Sequence, residues 1–331
     1  MPSLFPNEDT TFLRERDELG GGVVFFTGEV HLYCGAGFVV MKLRAIKRYA
    51  MKHTTTSLAA FLAFLSLPCF AQEAILDLDA DRGVTAGEDG RVSLWQNQAA
   101  SFAAKDFVSR DEGRKVKGSG QPTVRKVVKE LNGHNSLVFL QQELTCMDED
   151  AFDALTQGGG CTWVTVLAAH KQRVGLQDVN SFFGNLKNSD NFEGVWGCLK
   201  DDNTVWWGAR NGISFGRFDK NNPQVLGPKL ETGRFYIVAG RMAAGTDKVK
   251  LELFVNSSTP AGEKEIPVNP KANPSKMSIG QERDATNHPG HESFDGEIAR
   301  FLIFARPLPD AELKTLIHSL RERYAIVFDE K

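Results

Sequence analysis

The chain has no CxxC pair, no surplus of basic charge and no apolar run long enough to cross a bilayer as an anchor. Its five cysteines, Cys34, Cys69, Cys146, Cys161 and Cys198, therefore lack the spacing of a zinc knuckle or a redox motif. With 39 basic against 42 acidic residues, neither a nucleic-acid surface nor a polybasic patch for a membrane is expected. No HExxH helix and no Walker or Rossmann glycine pattern is present, and no nucleophile elbow is expected. What remains is an ordinary composition, 41% hydrophobic over 331 residues, which suits one all-β domain of about 250 residues.

The N-terminal 71 residues depart from that plain picture. Met51-Lys-His-Thr-Thr-Thr-Ser is a positive start, Leu58 to Leu67 an uncharged apolar run, and Pro68-Cys-Phe-Ala71 a breaker followed by small residues. Those are the parts of a secretory signal peptide over 51–71, cleaved after Ala71. Pro68 before Cys69 fits a lipoprotein signal poorly. Residues 1–50 are then an upstream extension, either from an over-called start with Met41 or Met51 the true beginning, or genuine and poorly ordered. The expectation is export to the periplasm or the extracellular space, with no membrane insertion after cleavage. Three cysteines stay in the 72–331 domain. One disulfide with one thiol, or three buried thiols, are both open readings.

Along 72–331 the pattern is of short strands between turn residues. Leu76 and Leu78 alternate with Asp77 and Asp79, a half-buried strand with its carboxylates on one face. Cys161 to Ala169 is apolar on both faces, which predicts a central strand. Further strands are expected around Phe182 and at 195–199, 205–209, 213–218, 235–241, 249–255 and 277–280, with a short helix over 148–155. Glu297 to Phe304 reads as a last strand between two layers. After it, Asp310 and Glu312 put negative charge in a first helical turn, and Leu313, Leu316, Ile317, Leu320 and Tyr324 form one apolar stripe. Many short strands and one terminal helix predict a β-sandwich.

The order of these parts resembles the laminin-G-like domains of the concanavalin A-like superfamily. The residues that carry the resemblance are Ile75-Leu-Asp-Leu-Asp79 with Arg91-Val-Ser-Leu-Trp95, Leu131-Asn-Gly133 with Leu137-Val-Phe139, and Thr162-Trp-Val-Thr-Val166. Leu251-Glu-Leu-Phe-Val-Asn256, Ser278-Ile-Gly280 and Phe294-Asp-Gly-Glu-Ile298 complete them. The resemblance covers most of 74–326 and implies an antiparallel jelly-roll β-sandwich closed by a C-terminal helix. It implies a non-catalytic module that binds glycans, or else a cell-surface or periplasmic protein, and more distantly an enzyme on polysaccharide. It also implies calcium as a structural cation, with Asp79 and Asp295 as the nominated ligands.

Glycosidases on this fold place carboxylates as Glu-x-Asp-x-(x)-Glu on one strand, so that acid and nucleophile share a cleft. That arrangement is missing here, and Asp148-Glu-Asp150 looks like a helix start instead. The densest aromatic and polar group is Trp196, Trp206, Trp207, Arg210 and Asn211. Aromatic faces pack on sugar rings while Arg and Asn bond hydroxyls, so these are the candidate glycan contacts. Neighbours on one strand, Trp206 and Trp207 must face opposite ways, which predicts one in the core and one exposed. His288-Pro-Gly-His291-Glu292 is a weaker metal candidate, read otherwise as a solvated loop.

Overall fold

The computed structural model describes residues 74–328 apart from 101–105, 174–176, 188–190 and 284–289, together with backbone hairpins upstream. The chain divides into two units, Met1–Ser66 and Leu67–Lys331. In the first, β1 (Arg14–Arg16) pairs with β2 (Gly22–Val24) and β3 (Thr27–Cys34) with β4 (Gly37–Arg44), both antiparallel. The signal peptide expected at 51–71 lies outside the described residues.

The second unit opens with β5 (Leu76–Asp79), β6 (Val84–Ala86), β7 (Val92–Trp95), β8 (Phe107–Ser109), β9 (Thr123–Arg125), β10 (Ser136–Leu140) and β11 (Leu144–Cys146). Then come β12 (Cys161–Ala169), β13 (Asn180–Gly184), β14 (Glu193–Leu199), β15 (Thr204–Asn211) and β16 (Gln224–Lys229). It ends with β17 (Phe235–Met242), β18 (Lys248–Val255), β19 (Gly262–Pro267), β20 (Ser278–Ile279), β21 (Asp295–Phe304) and the helix α1 (Asp310–Tyr324). One sheet runs β19-β18-β17-β12-β21-β10-β9, with β5 on the free half of β21's edge; the other runs β16-β15-β14-β13-β20-β11-β8-β7-β6. Every named pairing is antiparallel. The fold is the jelly-roll sandwich with a C-terminal helix that the sequence predicts.

Between the sheets lies an aromatic core. Trp163 packs on Phe183 at 5.0 Å and on Trp207 at 5.8 Å, and Phe183 on Phe301 at 4.9 Å. Phe182 and Phe183 are neighbours, yet both join this core. A register shift between Ser181 and Phe183 explains it, because a bulge turns an extra side chain inward. β12 is buried along its whole length, as its two-faced apolar pattern requires. Its outward residues Val164 and Val166 meet the stripe of α1, in which Leu313, Leu316, Ile317, Leu320 and Tyr324 are all buried.

Several expectations are corrected here. Residues 213–218 are a loop, since Gly212 (φ 72°) and Phe218 (φ 57°) leave extended geometry. The expected helix over 148–155 shrinks to one 3-10 turn, Asp153–Leu155. The Asp face of β5 is not at water. Asp77 and Asp79 are buried. Arg300 holds Asp77 with two bonds of 3.0 and 2.9 Å, and Asp79 lies 3.4 Å from Arg300, 3.2 Å from Arg82 and 3.1 Å from Arg323 of α1. The helix that covers this face brings its own counter-charge. Cys161 and Cys198 are buried thiols, so no disulfide joins the domain's three cysteines, and they act as small core side chains; burial pushes the Cys161 thiol up to about 12.

Candidate functional site

The predicted glycan residues sit on β14 and β15, and strand alternation divides them. Trp207 points into the inter-sheet core, where its Nε1 donates to the Glu252 carbonyl at 3.1 Å. Trp206 and Trp196 point to the outer face, 5.5 Å apart and edge to face, in a cluster with Val179, Leu186 and Cys198. The opposite orientation of Trp206 and Trp207 is as predicted, but the exposure of one of them is not. Trp206 and Trp207 are wholly buried and Trp196 is 4% exposed.

Two crossings of chain cover the outer face. Trp196 pairs with Gly184 on one side and Gly208 on the other. A Cβ on Gly184 would come within 2.3 Å of the Glu282 carbonyl, and one on Gly208 within 2.9 Å of the Pro223 carbonyl. These glycines let the 281–283 and 222–223 segments lie directly on the sheet beside the indole. Phe218 then stacks on Trp206 at 5.2 Å.

Arg210 and Asn211 are also buried and serve the same cover. Arg210 donates to the carbonyls of Phe215, at 2.6 Å, and Gly216, and lies 4.5 Å from the Phe192 ring. Asn211 donates to the Pro267 carbonyl at 2.7 Å and accepts from Ile213 N at 3.0 Å. Both line a cavity of about 10 Å³, room for roughly one water and no sugar. What the loop does present is Phe215, 64% exposed, with Ile213 at 52%. Phe215 is 5.6 Å from Phe192 and 5.8 Å from Arg210.

Three further features gather on this face. Phe192, Phe218 and Glu292 have φ of 53°, 57° and 56°, left-handed backbone that costs on the order of 1–3 kcal/mol per residue and concentrates at functional sites. Trp196 Nε1, Arg210 Nε and Arg283 Nε have no acceptor among the described residues. The third feature is a carboxyl pair that sequence reading missed. Burial, then Glu292, with which it is hydrogen-bonded, push Glu282 up to about 8, although Arg283 is ion-paired to both carboxylates. Arg210 lies within electrostatic reach of Glu282, Arg283 and Arg217. Nothing periodic marks two glutamates ten residues apart in a polar loop; the only available signal was their shared loop before β21.

This pair makes a pH dependence of defined sign. An unfolded glutamate sheds its proton near 4.5, whereas folded Glu282 keeps it to about 8. Stability from this group therefore falls as pH rises through that window, opposite to the usual carboxylate. Glu282→Gln should melt close to the parent at pH 5 and above it at pH 9. Parallel melting curves at both pH values check this, and a constant offset would contradict it.

The nominated calcium ligands are not brought together. Asp79 is in register with Arg300, while Asp295 lies at the other end of β21, about 17 Å away at strand spacing. Arg173 grips Asp295 with bonds of 2.5 and 3.1 Å. A hard cation would have to displace guanidinium groups at either place. His288 lies outside the described residues and His291 is exposed. Among the described residues no three His, Cys, Asp or Glu side chains are grouped as a metal requires.

The letters of a nucleophile elbow do occur, at Gly212-Ile-Ser-Phe-Gly216. Their setting is a loop that leads to β16 rather than a strand-to-helix turn, and Ser214 Oγ meets Asn221 Nδ2 at 2.9 Å rather than a histidine.

No family model and no curated protein matches the chain. Among solved structures, a Trypanosoma rangeli sialidase in complex with a difluoro-nononic acid is 13% identical at a TM-score of 0.46, covering 77% of this chain and 34% of the sialidase. The heptameric SAP-like pentraxin of Limulus polyphemus is 19% identical at 0.34, covering 48% of this chain and 70% of its own. The binding domain of botulinum neurotoxin DC in complex with SialylT is 11% identical at 0.42, covering 76% and 52%. The chain thus spans about a third of the sialidase and half of the toxin chain.

Proposed function

We propose that this protein is a non-catalytic, carbohydrate-binding sandwich of the laminin-G-like kind, exported as its N-terminus suggests, which meets its ligand on the outer face of the β14–β15 sheet. The observation that carries this reading is Phe215: a ring 64% exposed, held on a loop whose carbonyls are fixed by the buried Arg210. An exposed aromatic already fixed in place binds a sugar face at little ordering cost. A protein partner is the second reading, favoured by the apolar Ile213 and by Leu226, 45% exposed on β16.

Phe215→Ala tests this directly. Its stability should stay within about 0.5 kcal/mol of the parent, as for exposed positions generally, while signals on a glycan array fall to background. Unchanged array signals would remove the ring from the site.

A further inference from the structure

The segment from Gly212 to Pro223 is bonded within itself. Asp219 Oδ1 accepts from the backbone of Asn221 at 2.8 Å and Asn222 at 3.0 Å. Asn222 Nδ2 donates to the carbonyls of Ser214 and Gly216 at 3.2 and 2.7 Å, and Asn221 Nδ2 to Ser214 Oγ at 2.9 Å. It is also fastened to the body, mostly at its first half: Arg210 donates to the Phe215 and Gly216 carbonyls, Asn191 to the Gly212 carbonyl, Ile213 N donates to Asn211, and Phe215 lies against Phe192. The second half is held by Phe218 on Trp206 and by Arg217 paired with Asp178 at 2.8 Å. That ion pair is half-exposed, and Arg217 also covers the Phe218 ring at 4.7 Å. A unit bonded within itself and fastened outside at separate points moves as one piece when those points release.

What it covers is unlike ordinary core. Trp196 and Trp206 form an aromatic floor, yet Trp196 Nε1 and Arg210 Nε beneath the cover have no acceptor among the described residues. Trp206 Nε1 bonds the Asp178 carbonyl at 2.7 Å, so the residue that fastens Arg217 also orients the floor. Left-handed φ at Phe218 stores strain within the segment, and at Phe192 beside it. An indole face with vacant N–H donors at its edge matches one face of a sugar ring and its hydroxyls.

We infer that Gly212–Pro223 is a lid over a covered sugar-binding floor of Trp196, Trp206 and Arg210, held shut by the Arg217–Asp178 ion pair. The ligand class rests on the carbohydrate reading above; the lid does not. Opening exchanges the contact of Phe218 with Trp206 for a sugar ring and gives the vacant donors hydroxyl acceptors. Phe215 then acts as the part of the site that is already outside.

The experiment uses the full chain and acrylamide as the probe of indole accessibility. Arg217→Ala should raise the quenching constant roughly twofold, as a local opening does without global unfolding. The rise should shrink in Arg217→Ala/Trp206→Phe and vanish only when Trp196 is replaced by Phe as well. In the parent, 1 M NaCl should act like the mutation, since it shortens the screening length to about 3 Å and weakens an exposed pair. Quenching that neither salt nor the variant changes would overturn the lid. On a glycan array, Arg217→Ala should gain signal over the parent. Opening without that gain would overturn the sugar floor, and blank arrays for parent and variant alike would refute the carbohydrate reading while quenching still decides the lid.

Discussion

Trp207→Ala is expected to destabilise the sandwich by about 3–5 kcal/mol, the range for truncating a large aromatic in a packed core. The indole is wholly buried and stacked on Trp163, with Gly197 opposite it across β14 leaving no side chain to fill the void. The change also removes the hydrogen bond from Trp207 Nε1 to the Glu252 carbonyl. Equilibrium denaturation, with the transition midpoint and slope both followed, measures it. Trp206→Ala should be costly too, because the outer face is covered, but its loss should appear with an increase in acrylamide quenching of the remaining tryptophans. If Trp206→Ala proves neutral, the cover over it is not formed in solution.

Arg300→Ala should be of similar size for a different reason. Its guanidinium lies between Asp77 and Asp79 under α1, with 11% of the side chain exposed. Removing one member of a buried ion network leaves uncompensated charge and costs about 3–5 kcal/mol. Arg82 and Arg323 still face Asp79, but Asp77 keeps only Arg82, at 4.0 Å. Asp77→Asn in the Arg300→Ala background should therefore recover part of the loss. A penalty that the second substitution leaves unchanged would assign it to lost packing instead of charge. Denaturant unfolding of the single and double variants separates the two.

The same residues show how far the sequence could be read. Alternation placed Trp206 and Trp207 on opposite faces, and Asp77 and Asp79 on one, because a strand's period is a local property. What lies over an outer face is not local. The cover on Trp206 comes from residues 212–223, and that on Asp79 from a helix more than two hundred positions later. No window around Asp79 contains that information, and the residues that cover Trp206, though near in sequence, read as one more strand. The α1 stripe was legible because a helix carries its own period. Of the strands that escaped, two did so for the converse reason: β16 contains Gly227 and Pro228, and β19 reads Glu263-Lys-Glu265. Both are sheet edges, where charge, glycine and proline blunt the strand signal.

Site residues were nominated by type and neighbourhood, and all five glycan candidates are buried. Arg210 and Asn211 hold the cover and Trp196 lies beneath it, while Phe215 on the cover meets solvent. Residues 213–218, read in sequence as one more strand, are where the ligand surface is proposed.

Amide chemical-shift mapping of the whole protein, titrated with the strongest glycan from the array, tests the central claim most directly. The account predicts that the largest shifts fall at 192–196 and 208–218, with the α1 face of the other sheet unmoved. Shifts concentrated on α1 and the β5 edge, with the 208–218 segment silent, would contradict it.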